Sequence, residues 1–318
     1  MPDPHQPTRR RLLRATAASL LAAGAPIAAP GVSRLARAAR ADEAPIRRRV
    51  PSSGESVAAI GMGTWITFNV GSDPEARARR TNVLRAFFEA GGEVIDSSPM
   101  YGSSEAVVGH ALDEIGGQPP LFAASKVWTP DGNATAEQVA QSERRWGIDR
   151  MDLMQVHNLV AWEAHLEHLL EMREAGRIHH VGITTSHGRR HAEIERVMRD
   201  WSIDFVQATY NLSNREAEQR LLPLAEERGI AFIANRPFQG GRLIDRVKRH
   251  PFPAWASEAG LLNWADFLLK FLIAHPTVTC AIPATSRVEH MRENMTALRG
   301  PLPDKSLHRR MAEHVRQL

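Results

Sequence analysis

The chain has 318 residues, of which 43% are hydrophobic, so one large core is within reach and wholesale disorder is excluded. A single cysteine, Cys280, excludes an intramolecular disulfide and reads as a small buried residue. The formal charge of +4 is uneven: residues 1–41 hold seven arginines against one acid, Asp3, which puts +6 on the tail and −2 on the remainder. The basic balance is therefore terminal and excludes a broad nucleic-acid-binding face.

That tail has three parts in order. Arg9, Arg10 and Arg11 form a basic block, residues 15–30 are weakly apolar and alanine-rich, and residues 36–38 and 39–41 each read A-x-A. This is the layout of a secretory signal, and it resembles the twin-arginine (Tat) type. Export to a bacterial periplasm through the Tat machinery is the expectation. Gly24, Pro26 and Pro30 interrupt the apolar tract, which is too short and too broken for a stable membrane span. Residues 42–318 are expected to form the folded domain.

Residues 47–50 and 55–60 flank Pro51-Ser52-Ser53-Gly54 and predict a β-hairpin. Apolar runs then follow at 58–62, 93–96, 121–126, 152–157, 180–184, 205–209, 230–234 and 278–282. Helical periodicity fills the gaps over 77–90, 162–174, 194–201, 216–227 and 261–273, with closing helices over 288–298 and 307–315. Near-continuous apolar strands are covered on both faces. Eight strands alternating with helices, without a break in composition, predict an α/β protein: a (β/α)8 TIM barrel with an N-terminal β-hairpin. An open doubly wound sheet is disfavoured, because Gly61-Met62-Gly63 lacks the third glycine of a dinucleotide fingerprint.

Chemistry in such a barrel sits at the carboxyl ends of the strands. Asp96 ends the second strand and Tyr101 follows on its loop. Lys126 ends the third strand and His157 the fourth. A buried lysine needs a partner, and Asp96 is its neighbour. The sequence predicts that the ammonium so held lowers the pKa of Tyr101 and makes the phenol a proton donor. The imidazole of His157 would face a substrate oxygen.

Six stretches carry a resemblance to the aldo-keto reductase superfamily. They are G-M-G-T-W from Gly61, V-I-D-S-S-P-M-Y-G from Val94, S-K from Ser125, D-L-M-Q-V-H from Asp152, G-I-T-T from Gly182, and I-P-A-T-S-R-V-E-H-M-R-E-N from Ile282. The resemblance covers roughly residues 46–298. It implies an oxidoreductase that moves hydride between a nicotinamide, NADP(H) with NAD(H) possible, and a small carbonyl or alcohol substrate. Tyr101 would be the general acid, with Lys126 and Asp96 behind it and His157 orienting the carbonyl. Thr184, Thr185 and Gln207 would meet the carboxamide, and Asn235 and Arg236 the nicotinamide face. Gly241 and Leu243 would lie near the pyrophosphate, Glu293 and Asn294 at the adenine, and Thr285 and Arg287 at a 2′-phosphate. Trp65, Phe68, Met100 and Trp128 are candidate substrate-pocket walls.

The chain departs from the family pattern in four places, one being Asn158 after His157, which sets the substrate pocket apart from that of the aldose-reductase branch. Thr184-Thr185 replaces Ser-Asn, Asn235 stands where an aromatic commonly stacks, and His290 stands where an arginine often meets the 2′-phosphate. These departures leave open a nicotinamide-binding sensor with little turnover, and a lyase or hydrolase on the same fold. No metal site is expected. Glu163, His165 and His168 read as the solvated face of an amphipathic helix, and His187, Arg189, Arg190 and His191 as a solvated basic cluster.

Overall fold

The short apolar runs form strands and the periodic segments between them form helices that cover them. The computed structural model describes residues 43–318, and the signal-type tract lies outside the described residues. Two short strands, β1 (Arg47–Arg49) and β2 (Ser56–Ala58), pair antiparallel as a hairpin. Eight parallel strands follow: β3 (Met62–Gly63), β4 (Val94–Asp96), β5 (Phe122–Val127), β6 (Leu153–His157), β7 (His180–Thr184), β8 (Phe205–Thr209), β9 (Ala231–Asn235) and β10 (Val278–Ala281). Each neighbours the next in chain order, the sheet order of a barrel. The ends meet through parallel bridges, Ile60 to Ala281 and Gly63 to Ala284. Glycine is required at this seam, since a Cβ on Gly61 would lie 2.7 Å from the Val94 carbonyl oxygen.

The hairpin and the first barrel strand need one correction. The apolar run 58–62 divides: Ala58 ends the hairpin, and the barrel strand begins only at Met62. The division lies inside one apolar stretch, so composition does not mark it.

Helices α1 (Pro74–Glu89), α2 (Ser104–Ile115), α3 (Thr135–Trp146), α4 (Trp162–Glu174), α5 (His191–Asp200), α6 (Leu221–Arg228), α7 (Arg242–Val247), α8 (Ala254–Glu258), α9 (Trp264–Ile273), α10 (Val288–Met295) and α11 (Lys305–Gln317) surround the barrel. Several starts are set by side chains that accept an otherwise unpartnered backbone N–H. Asp73 accepts from Ala76 at 3.0 Å, and Asn263 accepts from Asp266 at 2.8 Å. The stretch 216–227 is one 3-10 turn (Glu216–Glu218) followed by α6, not a continuous helix.

Two apolar clusters result from the strand alternation. The larger lies between barrel and helices. The smaller lies inside the barrel, where Val94, Phe122, Leu153 and Phe205 meet Val50 and Val57 of the hairpin. These are strand-start residues, so the hairpin closes the floor and leaves the opposite end open. Cys280 is buried in this inner cluster, as the sequence implies.

Two positions expected at the surface or at the pocket are interior. Phe68 is fully buried in the larger core, because its loop folds back onto the barrel, so it is not a pocket wall. His165 is also fully buried: Nδ1 lies 2.7 Å from Thr135 Oγ1 and Nε2 lies 2.8 Å from the Thr129 carbonyl oxygen. It fastens α4 to the loop before α3 and is not part of a solvated face.

Glu105 on α2 is another buried fastening. Its carboxylate accepts from Ser125 Oγ (2.6 Å) and Ser142 Oγ (2.8 Å) and pairs with Arg145 (3.0 Å). Glu105→Ala would strand these three donors. Urea unfolding should show a loss of about 3 kcal/mol.

Candidate active site

The open end of the barrel holds a cavity of about 510 Å³. It is lined by the carboxyl ends of the strands and the loops after them. At its base Lys126, fully buried on β5, donates to both oxygens of Asp96 (2.8 and 2.7 Å) and to the Ser97 carbonyl (2.7 Å). Gln207 and Gln155 also donate to Asp96 Oδ1, at 2.9 and 3.3 Å. Charge-assisted bonds of this kind hold a buried pair in one geometry.

Tyr101 and His157 meet over this pair. Their rings pack edge to face with centroids 5.6 Å apart, and Lys126 Nζ lies 5.3 Å from the centre of the tyrosine ring. Both rings line the cavity with Asp96. The expected acidification of Tyr101 is not found. Burial first, and then the charge of Asp96, hold the phenol pKa above its ordinary value. The physical reason is visible in the lysine, whose three ammonium protons are all committed to Asp96 and Ser97. Burial pulls the pKa of Lys126 down, while the charge and hydrogen bonds of Asp96 oppose that.

His157 is pushed down to about 3, by burial and then by the charge of Lys126, so its imidazole is neutral at ordinary pH. Its Nδ1 lies 2.8 Å from Ser98 Oγ. That oxygen already accepts from the Met100 N–H at 3.2 Å, so the hydroxyl proton is free to go to Nδ1. With that hydroxyl donating to Nδ1, the imidazole proton sits on Nε2, the nitrogen left to the cavity. Ser98 was not singled out in the sequence. Its signal is its position, between the strand-end Asp96 and Tyr101.

Around this centre the structure gathers most of the residues expected there. Thr184, Gln207, Asn235 and Arg236 line the cavity at successive strand ends, and Gly241, Thr285, Arg287, Glu293 and Asn294 line its far part. Trp65 and Met100 form walls, both partly open to solvent. Besides Phe68, three expected positions do not reach it. Leu243 is buried beneath the loop. Thr185 is buried, donates to the Arg189 carbonyl at 3.0 Å and accepts from Asn235 Nδ2 at 2.8 Å. Trp128 stands outside, its backbone tied to Gln138.

Asn235 is committed on both amide atoms, to Thr185 and to Thr209 Oγ1 (2.9 Å), so it serves the loop and offers no stacking face. The next residue, Arg236, places its guanidinium 5.7 Å from the ring centre of Trp65. His187 of the basic cluster also lines the cavity, and Arg236, Arg189 and Arg242 lower its pKa after burial does. Arg190 donates to the Asn158 and Leu159 carbonyls at 2.6 and 3.0 Å, holding two residues at φ 55° and 52°. These two belong to the site's edge and are not free solvated charges.

The far part of the cavity suits a dinucleotide. Gly240 and Gly241 adopt φ of 67° and 96°, which brings bare backbone to the wall. The Asn294 amide nitrogen is buried and has no hydrogen-bond partner among the described residues. Lys248, Arg287 and His290 lie there together. Lys248 was not foreseen, because it caps the end of a short helix that the sequence pattern did not mark.

Ser98→Ala should free the imidazole to place its proton on either nitrogen. The expected loss is about tenfold in kcat/KM for carbonyl reduction, with unchanged cofactor affinity, and recovery in Ser98→Thr. Steady-state kinetics beside cofactor titration checks this.

Known proteins resemble this chain over most of its length. A curated relative described as methylglyoxal reductase YeaE from Escherichia coli is 28% identical over 269 residues, covering 82% of this chain and 93% of that protein. A second Escherichia coli relative, described as an NADH-specific methylglyoxal reductase, is 25% identical and covers 80% of this chain and 94% of its own. A solved aldo/keto reductase from Klebsiella pneumoniae, in complex with NADP and acetate, superposes with a TM-score of 0.71 at 26% identity, covering 82% of this chain and 93% of that one. The profile of the aldo/keto reductase family matches residues 59–314, and the chain belongs to that family.

Proposed function

We propose that this protein is an exported reductase of small carbonyl compounds that uses NADP(H), with Tyr101 as the proton donor. The observation that carries the reading is the meeting of Asp96, Lys126, Tyr101 and His157 at one cavity. A bound reduced nicotinamide supplies the hydride for the carbonyl carbon.

The chain's own groups handle the oxygen. His157 Nε2–H donates to it and fixes its direction. Tyr101 then gives up its phenolic proton as negative charge develops there. An ordinary phenol is already a weak acid, with a pKa of about 10. Burial keeps the proton in place until the substrate oxygen becomes basic enough to take it. Asp96 holds the Lys126 ammonium 5.3 Å from the centre of the ring, and that positive charge offsets part of the cost of the phenolate left behind. Trp65 and Met100 supply apolar walls that exclude water from the reacting oxygen.

Lys248, Arg287 and His290 favour a cofactor with a 2′-phosphate, since a guanidinium fork matches phosphate oxygens. The Klebsiella pneumoniae neighbour, solved with NADP, supports this preference. One relative is described as NADH-specific, so the comparison of the two cofactors is part of the test.

NADPH and NADH fluorescence on titration, followed by consumption with a panel of small aldehydes including methylglyoxal, tests the proposal. Tyr101→Phe should lose about 10²–10⁴-fold in turnover and retain NADPH affinity. Binding with equal, negligible turnover in both proteins would make the chain a nicotinamide-binding sensor. Absence of binding would remove both readings.

Export rests on the basic block at Arg9–Arg11, the apolar tract and the two A-x-A sites of residues 1–41. Replacing the three arginines by lysine should leave the protein unprocessed and inside the cell. Fractionation and mass spectrometry of the new N-terminus read the outcome.

A further inference from the structure

The floor of the barrel holds groups that the reduction does not use. Glu55, at the end of the hairpin turn, faces two consecutive histidines at the start of β7. Its Oε2 lies 2.9 Å from His180 Nε2 and 3.6 Å from His179 Nδ1, and no two of the three donor atoms are more than 4.8 Å apart. Among the described residues this is the one group of three or more such donors that converges in this way.

We infer that Glu55, His179 and His180 form a binding site for a divalent transition metal of the zinc class, which fastens the hairpin to the barrel floor. Bonds of about 2.0 Å at tetrahedral angles put neighbouring donor atoms roughly 3.3 Å apart. The two measured separations fall on either side of that value. Two imidazoles and one carboxylate are a donor set that zinc accepts, with a fourth position for water.

The surroundings fit a metal ligand. His180 is almost wholly buried, stacked on His179 with ring centres 4.4 Å apart and set edge-on to Phe205 at 5.3 Å, so its ring is held in place. Its other nitrogen, Nδ1, lies 3.9 Å from Asp204 Oδ2. Nε2 is at hydrogen-bond distance from the Glu55 carboxylate, a contact that holds the proton on Nε2; metal binding there moves that proton to Nδ1, which faces Asp204. Asp204 is itself fixed, accepting from Val181 N at 2.9 Å and Arg173 at 2.8 Å. Asp152 is close enough to interact with the charges of Glu55 and His179, and adds negative potential. Glu55 and His179 are partly open, which provides an entry path.

The site joins segments far apart in sequence. A metal held only in the folded chain raises its melting temperature as the free metal concentration rises. The catalytic cavity lies at the other end of the barrel, so this inference does not depend on the reaction proposed above.

The test uses the full chain without a histidine tag. Equilibrium dialysis with Zn²⁺ should give one bound ion per chain, and thermal melts should be higher in Zn²⁺ than in EDTA. Glu55→Gln and His179→Ala should each weaken binding by roughly tenfold or more and abolish the rise in melting temperature. His179 is exposed, so His179→Ala decides the matter alone if the other variant does not fold. No stoichiometric binding by the parent chain would overturn the site, as would equal affinity in His179→Ala. Co²⁺ in place of Zn²⁺ gives a second reading: the strong visible absorption of a four-coordinate ion supports the site, and its absence overturns it.

Discussion

The contact on which the active end depends is the ion pair of Lys126 and Asp96, at 2.7 Å with almost no exposure on either side chain. Taking two charges out of water costs several kcal/mol for each, and attraction offsets this only when the remaining hydrogen-bonding positions are filled. Here they are filled, by Ser97 on the lysine side and by Gln155 and Gln207 on the aspartate side. The pair thus joins strands β4, β5, β6 and β8 across the barrel interior. It also fixes the base of the cavity that Tyr101 and His157 line.

The same saturation changes how the site is understood. A lysine with a spare proton could bond the phenol and acidify it. This one has none to spare, so its influence on Tyr101 is that of a nearby charge. Burial and Asp96 together hold the phenol pKa up. The tyrosine rests as a firmly protonated acid. The imidazole beside it rests neutral, its Nδ1 held by a serine two residues past the strand. These are the protonation states that the proposed reduction would use.

Much of this was legible in the residues. Strand runs closed by Asp96, Lys126 and His157 gave the barrel and the core of the site, because period and strand direction are local properties. The failures have physical causes. The run 58–62 is uniformly apolar, so the break between hairpin and barrel left no mark. His165 sits on a helix with polar neighbours, yet the loop at Thr129 and the start of α3 close over it. Phe68 and Trp128 lie on loops, whose direction no periodicity encodes. Gln155 lies inside a strand rather than at its end, where the strand-end rule does not look. Leu243 and Thr185 were placed by family position, but their side chains turn into the fold and leave the cavity to their neighbours.

The fixing of residue 43 has its own consequence. Arg299 Nε donates to the Glu43 carbonyl at 3.0 Å, and the Gly300 N–H donates to its carboxylate at 2.6 Å. The hairpin that follows caps the strand starts. Tension applied to the chain upstream would thus be borne by the closed base and by the segment around Arg299. The reacting groups, at the far ends of the same strands, are mechanically sheltered from whatever is attached to, or cut from, the amino-terminal side.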